Sequence, residues 1–286
     1  MNFDTKPISA GLYFVATPIG SARDITLRAL DLLNGVDVIA AEDTRTARKL
    51  MEIHGVPLRQ RQILAYHDHS GEGMRARIVA EIAAGKSVAY VSEAGTPLVA
   101  DPGYALGRAV IEAGLPLTAA PGASAVLAAL TVSGLPTDRF LFVGFLAAAK
   151  AQRESEIAAL RDLPFTLIFY ESPKRVSEML YSLSDIMGEG RIGVVCRELT
   201  KRFEEVTRGT LADLAGAFAG KVVRGEIVVL VGRAGATDVV PADVELALRE
   251  AMKTMRVKDA ATMVAGAMGL PRRQVYQTAL AMEVKE

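Results

Sequence analysis

The sequence predicts an α/β protein in three parts: a first domain on a parallel sheet, a second on a mixed sheet, and a small helical domain at the end. Three observations carry this. Short apolar runs alternate with helix-period patterns from Leu12 to Ala119, and apolar strands alternating with helices make a parallel sheet covered on both faces. The alternation restarts at Phe140, and a hairpin around Leu199 to Phe203 makes the second sheet mixed. From Ala242 to Glu286 no strand pattern remains. The expected domains are residues 1–136, 137–234 and 241–286. Leu135-Pro136-Thr137 marks the first boundary, and the stretch AGATDVVP (Ala234 to Pro241) reads as a linker.

The elements follow in order. Leu12 to Ala16 is apolar and β-branched and ends at a turn, so it reads as a buried strand. Ile25, Leu27, Leu30, Leu32 and Leu33 give a helix that starts near Ser21 or Asp24 and stops at Gly35. Val36 to Ala40, Ile63 to Tyr66, Val88 to Val91 and Leu117 to Ala119 are the remaining strands of the first sheet. Thr44 to Ile53, Met74 to Ala84 and Tyr104 to Ala113 are the helices between them. In the second domain the strands are Phe140 to Val143, Thr166 to Tyr170, Ile192 to Arg197, Glu205 to Arg208 and Ile227 to Val231. Its helices are Arg153 to Arg161, Lys174 to Ile186 and Leu211 to Ala219. The tail holds Val244 to Met252, Asp259 to Met268 and Arg272 to Met282, with a Gly-containing turn at Met268-Gly269-Leu270-Pro271. Helix, short turn, helix is a helix-turn-helix layout. A helical cap packed on the second domain is the plainer reading of the same pattern.

At 286 residues the chain exceeds one ordinary core. Its 33 basic and 33 acidic residues balance, so global charge gives no case for nucleic acid and any such case rests on local clusters. Arg45 to Arg61 and Lys253 to Arg273 are two such clusters, each with five basic residues and one acid. Cys196 is the only cysteine, which excludes a disulfide framework and fits a reducing cytoplasm. The N-terminus lacks a signal-peptide layout, and no apolar run approaches the roughly 20 residues a membrane helix needs. Trp is absent and aromatic residues are sparse, so base stacking on exposed rings is not an evident strategy.

Ligands of parallel sheets sit at the carboxyl ends of the strands, and the loops there are rich in Gly, Pro and Ser. Thr17-Pro18-Ile19-Gly20 is no G-x-G-x-x-G fingerprint, and no Walker A loop exists, which disfavours a phosphate-bearing nucleotide cofactor. In Ser92 to Gly103, Glu93 and Asp101 read as an acid pair or, preferably, Asp101 reads as the cap of a helix with Pro102 at its first position. Pro121 to Ala125 opens a helix of small residues that leaves backbone donors accessible. His67 and His69 have metal-like spacing but no third ligand nearby, so no metal is expected.

Taken in order, VATPIGSARDITLRAL, AAEDTRTARKL, VSEAGTPLVADPG, PGASA, FYESPKR, RELTKRFEE and GEIVVLVG closely resemble the bacterial ribosomal RNA small subunit methyltransferase I family. That family is a branch of the tetrapyrrole methylase superfamily, and the resemblance runs from Gly11 to the tail. It implies a two-domain tetrapyrrole-methylase-like fold with S-adenosylmethionine in the cleft between the domains, a homodimer, and a helix-turn-helix-like tail. It also implies 2'-O-methylation of a decoding-centre cytidine in 16S rRNA, presented as naked RNA or as the 30S subunit. By the resemblance, Pro18 meets the cofactor in the first loop. Gly95, Thr96 and Val99 do so in the second, where many tetrapyrrole relatives have Gly-Asp-Pro and this chain has Thr96 in place of the acid. Ser124 and Ala125 fall on the third loop, Glu171 and Leu199 on second-domain contacts, and Ile227 near a last one. Lys174 stands where a His is expected in the ESPHR pattern of near relatives, and Tyr66 to Ser70 lacks the expected Glu and terminal Asn.

The reaction implied is attack of a ribose hydroxyl on the sulfonium methyl, and Asp43, Glu42 and Lys201 are the candidate bases. Lys201 serves if neighbouring cations lower its pKa. Arg45, Arg175, Arg197, Arg272 and Arg273 are the candidate phosphate contacts. Two other readings stay open: a tetrapyrrole C-methyltransferase, in which the basic tail has no role, and a non-catalytic RNA-binding assembly factor.

Overall fold

A computed structural model describes residues 6–67, 70–234, 241–268, 270 and 272–283. Asp68 and His69, the linker positions 235–240, and Gly269 and Pro271 of the tail turn lie outside them. The chain divides into two compact units. One is Met1–Ala129 with Arg197–Glu205; the other is Leu130–Cys196 with Val206–Glu286.

The first unit holds β1 (Gly11–Val15), α1 (Leu27–Gly35), β2 (Val38–Ala41), α2 (Thr44–Ile53), β3 (Ile63–Ala65), α3 (Glu72–Ala83), β4 (Ser87–Val91), α4 (Tyr104–Glu112), β5 (Leu117–Ala120) and the start of α5 (Ala125–Ser133). The sheet order is β3-β2-β4-β1-β5, and its pairings are all parallel. Two apolar clusters cover its faces. One joins Leu30 and Leu33 of α1 to Ile39 and Val91; the other joins Ile78, Ile82, Leu106 and Val110 to Leu12 and Tyr90. Tyr90 is fully buried at the centre, edge-to-face with Phe14 and Tyr66. Its hydroxyl donates to Pro102 O at 3.1 Å, so the one polar atom of the ring is satisfied and ties β4 to the loop after it.

Two expected helix caps are corrected. Ser21 and Asp24 do not cap α1: Ala22–Asp24 form a separate 3₁₀ turn, and Thr26 accepts the Ala29 N–H at 3.1 Å. Gly35 is the last residue of that helix, not the stop beyond it. Asp101 does not cap α4 and Pro102 is not its first residue, because the cap position is Gly103 at φ 118°. That left-handed backbone suits glycine, and a Cβ there would meet Leu98 Cδ2 at 2.9 Å and Tyr90 Cε1 at 3.1 Å.

The second unit holds β6 (Phe140–Phe145), α6 (Lys150–Leu160), β7 (Thr166–Glu171), α7 (Val176–Met187), β8 (Ile192–Arg197), β9 (Glu205–Thr210), α8 (Leu211–Phe218) and β10 (Ile227–Val231). Its sheet order is β6-β7-β10-β8-β9. β6 runs parallel to β7 and β10 antiparallel to it, so the sheet is mixed. The core packs Met179, Leu180 and Leu183 of α7 and Leu211 and Leu214 of α8 on Leu167, Phe169 and Val229. A capping box between Thr210 and Asp213 starts α8, and the Thr210 hydrogen bonds hold the Asp213 carboxyl below its usual range.

The tail helices are α9 (Pro241–Met252), α10 (Val257–Met268) and α11 (Arg272–Glu283). They enclose a cluster of their own around Leu248, Ala260, Val264, Val275 and Ala279. Alanines at the contact let three short helices approach closely. No helix among the described residues is long and apolar enough to cross a membrane.

Candidate functional site

The parallel sheet of the first unit puts four strand-end loops on one edge, and hydrogen bonds tie them together. Thr17 N–H donates to Gly95 O at 2.9 Å and Gly95 N–H donates back to Thr17 O at 3.0 Å. Thr96 Oγ1 donates to Ala123 O at 2.9 Å, joining the second loop to the third. Glu93 N–H donates to Glu42 Oε2 at 3.0 Å, joining the β4 and β2 ends. A further segment of the same unit, the β8–β9 loop, joins them: Ser21 N–H donates to Thr200 Oγ1 at 3.1 Å.

Backbone strain gathers in these loops. Five described non-glycine residues have left-handed φ: Arg59, Leu98, Ala100, Glu198 and Thr200. All but Arg59 lie in the 92–103 or 198–204 loops, which is where such conformations are kept for function. Gly20 explains how the first loop meets the β8–β9 loop. A Cβ on it would fall 2.5 Å from both Lys201 Cγ and Thr200 Oγ1, and 3.0 Å from Leu199 O. At Gly122 a Cβ would meet Ala16 Cβ at 2.9 Å.

The structure brings most of the expected cofactor residues onto this edge. Pro18, Thr96, Val99, Ser124 and Ala125 are partly accessible, while Gly95 and Leu199 are buried. Leu199, expected among the second-domain contacts, belongs to the first unit. In the second unit Glu171 and Ile227 stand directly opposite each other on β7 and β10. The Glu171 side chain is fully buried; Oε1 accepts from Arg175 Nε at 2.9 Å and from Ser172 N–H at 2.6 Å. Oε2 is buried with no partner, and so is Thr17 Oγ1 in the first unit. A buried carboxylate oxygen left unpaired costs free energy unless a ligand supplies the donor. Thr17 was not singled out in the sequence; its place directly before Pro18 was the available signal.

The candidate bases are placed unequally. Asp43 is the N-cap of α2, accepting from Arg45 N–H at 2.7 Å and Thr46 N–H at 3.2 Å, and its Oδ2 pairs with Arg45 Nη2 at 2.9 Å. The Arg45 side chain, then these backbone donors, lower its pKa from 3.8 to about 2. Glu42 holds the Glu93 backbone. Lys201 donates to Glu198 Oε1 at 2.9 Å, so the neighbour that its sequence setting suggested would be a cation is a carboxylate.

Of the candidate phosphate contacts, Arg45 pairs with Asp43, Arg175 with Glu171 and Arg197 with Glu205. Arg272 and Arg273 are exposed at the start of α11. No group of three or more potential metal ligands occurs among the described residues.

Comparison with known proteins adds to this geometry. Residues 11–215 match the family model described as Tetrapyrrole (Corrin/Porphyrin) Methylases, and residues 238–283 match an RsmI C-terminal HTH domain. A Mesorhizobium japonicum protein named ribosomal RNA small subunit methyltransferase I is 43% identical over 97% of this chain and 94% of its own. A Xylella fastidiosa protein of the same name is 42% identical over 93% and 97%. Among solved structures, the methyltransferase CobJ superposes with a TM-score of 0.61 at 21% identity, over 79% of this chain and 95% of that one. A Thermus thermophilus uroporphyrin-III C-methyltransferase complexed with S-adenosyl homocysteine gives 0.55 at 20%, over 78% and 98%.

Proposed function

The chain belongs to the tetrapyrrole methylases, in their ribosomal RNA small subunit methyltransferase I branch, and on that premise we propose that it transfers the methyl group of S-adenosylmethionine to the 2'-hydroxyl of a decoding-centre cytidine in 16S rRNA. The reading includes the 16S rRNA or 30S subunit as substrate, a homodimer, a cytoplasmic setting and the three-part organisation 1–136, 137–234 and 241–286. The carrying observation is the pairing of the methylase match at 11–215 with the helix-turn-helix match at 238–283. A C-methyltransferase of tetrapyrroles has no use for that tail.

The residues present fit the cofactor. Glu171 keeps a buried, unpartnered carboxylate oxygen, a suitable neighbour for a cationic ligand, and Thr17 a buried, unpartnered hydroxyl. When bound, S-adenosylmethionine supplies an electrophilic methyl on a sulfonium. The protein's task is then to aim a hydroxyl oxygen at that methyl while the hydroxyl proton passes to solvent water. Transfer of this kind is accelerated mainly by holding the reactants in line.

The three candidate bases take different parts in this reading. Asp43 is a poor proton acceptor at about pKa 2 and serves to start α2. Glu42 fixes the beginning of the 92–103 loop. Lys201, packed over Gly20 by its Cγ and paired with Glu198, fixes the β8–β9 loop against the first strand-end loop. Exposed Arg272 and Arg273 take phosphates, since phosphate contacts position an RNA without reading its sequence.

Nucleoside mass analysis of ribosomal RNA from cells lacking the protein tests the reading. Loss of one 2'-O-methylcytidine from 16S rRNA is the expected result. An unchanged 16S modification set, with an altered tetrapyrrole, would favour the C-methyltransferase instead. Arg272→Glu with Arg273→Glu is expected to weaken RNA binding and leave cofactor affinity unchanged.

A further inference from the structure

Phe203 is 64% exposed in the β8–β9 loop. One exposed ring is ordinary on a protein surface, but the setting of this one is not. The Arg202 guanidinium carbon lies 5.4 Å from the ring centroid, within cation–π range. The loop beneath is fixed: Glu198 and Thr200 hold left-handed backbone, Thr200 N–H donates to Glu204 Oε2 at 2.6 Å, and Glu204 N–H donates to Lys201 O at 3.2 Å. Thr200 Oγ1 also anchors the loop to Ser21, next to Gly20. The ring is therefore displayed from a stiff support packed on the first strand-end loop.

The charges of this loop are distributed unevenly. Arg197 is taken by Glu205 and Lys201 by Glu198, while Glu204 accepts from the Thr200 backbone. Arg202 is exposed, and among the described residues no ion pair takes it up. What remains for an outside partner is one aromatic face and one guanidinium, side by side. A flat, electron-rich ring system carrying phosphate suits that pair, and a nucleobase in single-stranded RNA is such a group.

We propose that Phe203, with Arg202 against its ring, is a stacking platform for a base of the substrate RNA. This rests on the RNA methyltransferase reading above. Stacking asks only for one accessible ring face, so it is compatible with the sparse aromatic content of the chain, 7 Tyr and 9 Phe with no Trp.

The chain contains no tryptophan, so Phe203→Trp installs a unique fluorophore at the platform. Titration of that full-length variant with 16S rRNA or 30S subunits is expected to quench its emission. Phe203→Ala is expected to raise the KM for RNA by about 5- to 150-fold, with S-adenosylmethionine affinity unchanged and Phe203→Tyr restoring most of the loss. Sedimentation of Phe203→Ala tests a different occupant, a second copy of the chain. No quenching together with an unchanged KM overturns the proposal, and so does loss of self-association with RNA binding intact. The unaltered protein is assayed on 16S rRNA in parallel: its failure to methylate would overturn the functional reading, while quenching of the tryptophan variant by RNA would still support the platform.

Discussion

At the scale of single residues, the site rests on a few atoms that have no room or no partner. Gly20→Ala puts a methyl where Lys201, Thr200 and Leu199 already are. Overpacking of this kind typically costs about 1–3 kcal/mol. The expected outcome is weaker cofactor binding by calorimetry, with the far-UV spectrum retained. Glu171→Gln keeps the shape of the side chain and removes its charge. S-adenosylmethionine affinity is expected to fall about tenfold or more, because the unpartnered Oε2 loses its charge; an unchanged affinity would contradict a cofactor contact at Glu171. Asp43 makes a pH prediction. Its folded pKa, about 2, lies below the ordinary 3.8, so the stability it adds is present above the ordinary value and is lost as pH falls through about 2. Asn still caps a helix, so Asp43→Asn isolates the charge. The gap in urea midpoint between the two proteins is expected to be constant from about pH 7 to 5 and to close in acid. Residue roles were the least legible part of the sequence. Asp43 looked like chemistry because it sits at a strand end, yet the same position begins a helix, and capping took the carboxylate. Thr17 carried no chemical signal of its own beside the prolyl turn that hides it.

At the scale of elements, hydrophobic period found the helices and strands, and local capping set their ends. The strand–helix alternation of the first sheet was readable because β1, β2 and β4 are mostly buried and, but for Ser87 at the start of β4, apolar. The start of α1 was misplaced because Ser21, Asp24 and Thr26 all suit a cap, and only the Thr26 backbone leaves its hydroxyl facing the Ala29 N–H. Thr26→Ala is expected to cost about 1 kcal/mol in a chemical melt. α4 starts at Tyr104 as the pattern predicts, but its cap differs, because a left-handed glycine, which sequence alone does not reveal, displaces Asp101 from the cap. The sequence predicts a hairpin at Leu199 to Phe203, with Leu199 and Lys201 as site residues, but not what the loop packs on. Its packing on Gly20 joins positions far apart in the chain, and such joins are invisible to periodicity. In the tail, Leu248 is fully buried in a core made only of tail residues. Leu248→Ala is expected to cost about 2–5 kcal/mol within that core. RNA affinity should fall while cofactor affinity holds; parallel loss of both would mean that the tail serves the rest of the fold and not the RNA.

For the whole molecule, the amino-acid pattern carried more about fold and family than about chemistry. A parallel sheet, a mixed sheet and a strandless tail were each visible, because each imposes its own period over many residues. The ordered set of loop motifs named the family, which no single loop specified. The balanced charge, 33 against 33, concealed an RNA substrate, since Arg45, Arg175 and Arg197 are all matched by acids while among the described residues no ion pair takes up the exposed Arg202, Arg272 and Arg273. The central claim is that this edge of strand-end loops serves methyl transfer to ribosomal RNA, and one measurement addresses it most directly. Purified protein is incubated with methyl-labelled S-adenosylmethionine and small-subunit particles, and the RNA is digested to nucleosides. Label in a 2'-O-methylated cytidine of 16S rRNA is the predicted result. Label on a base, or none in RNA, would contradict it.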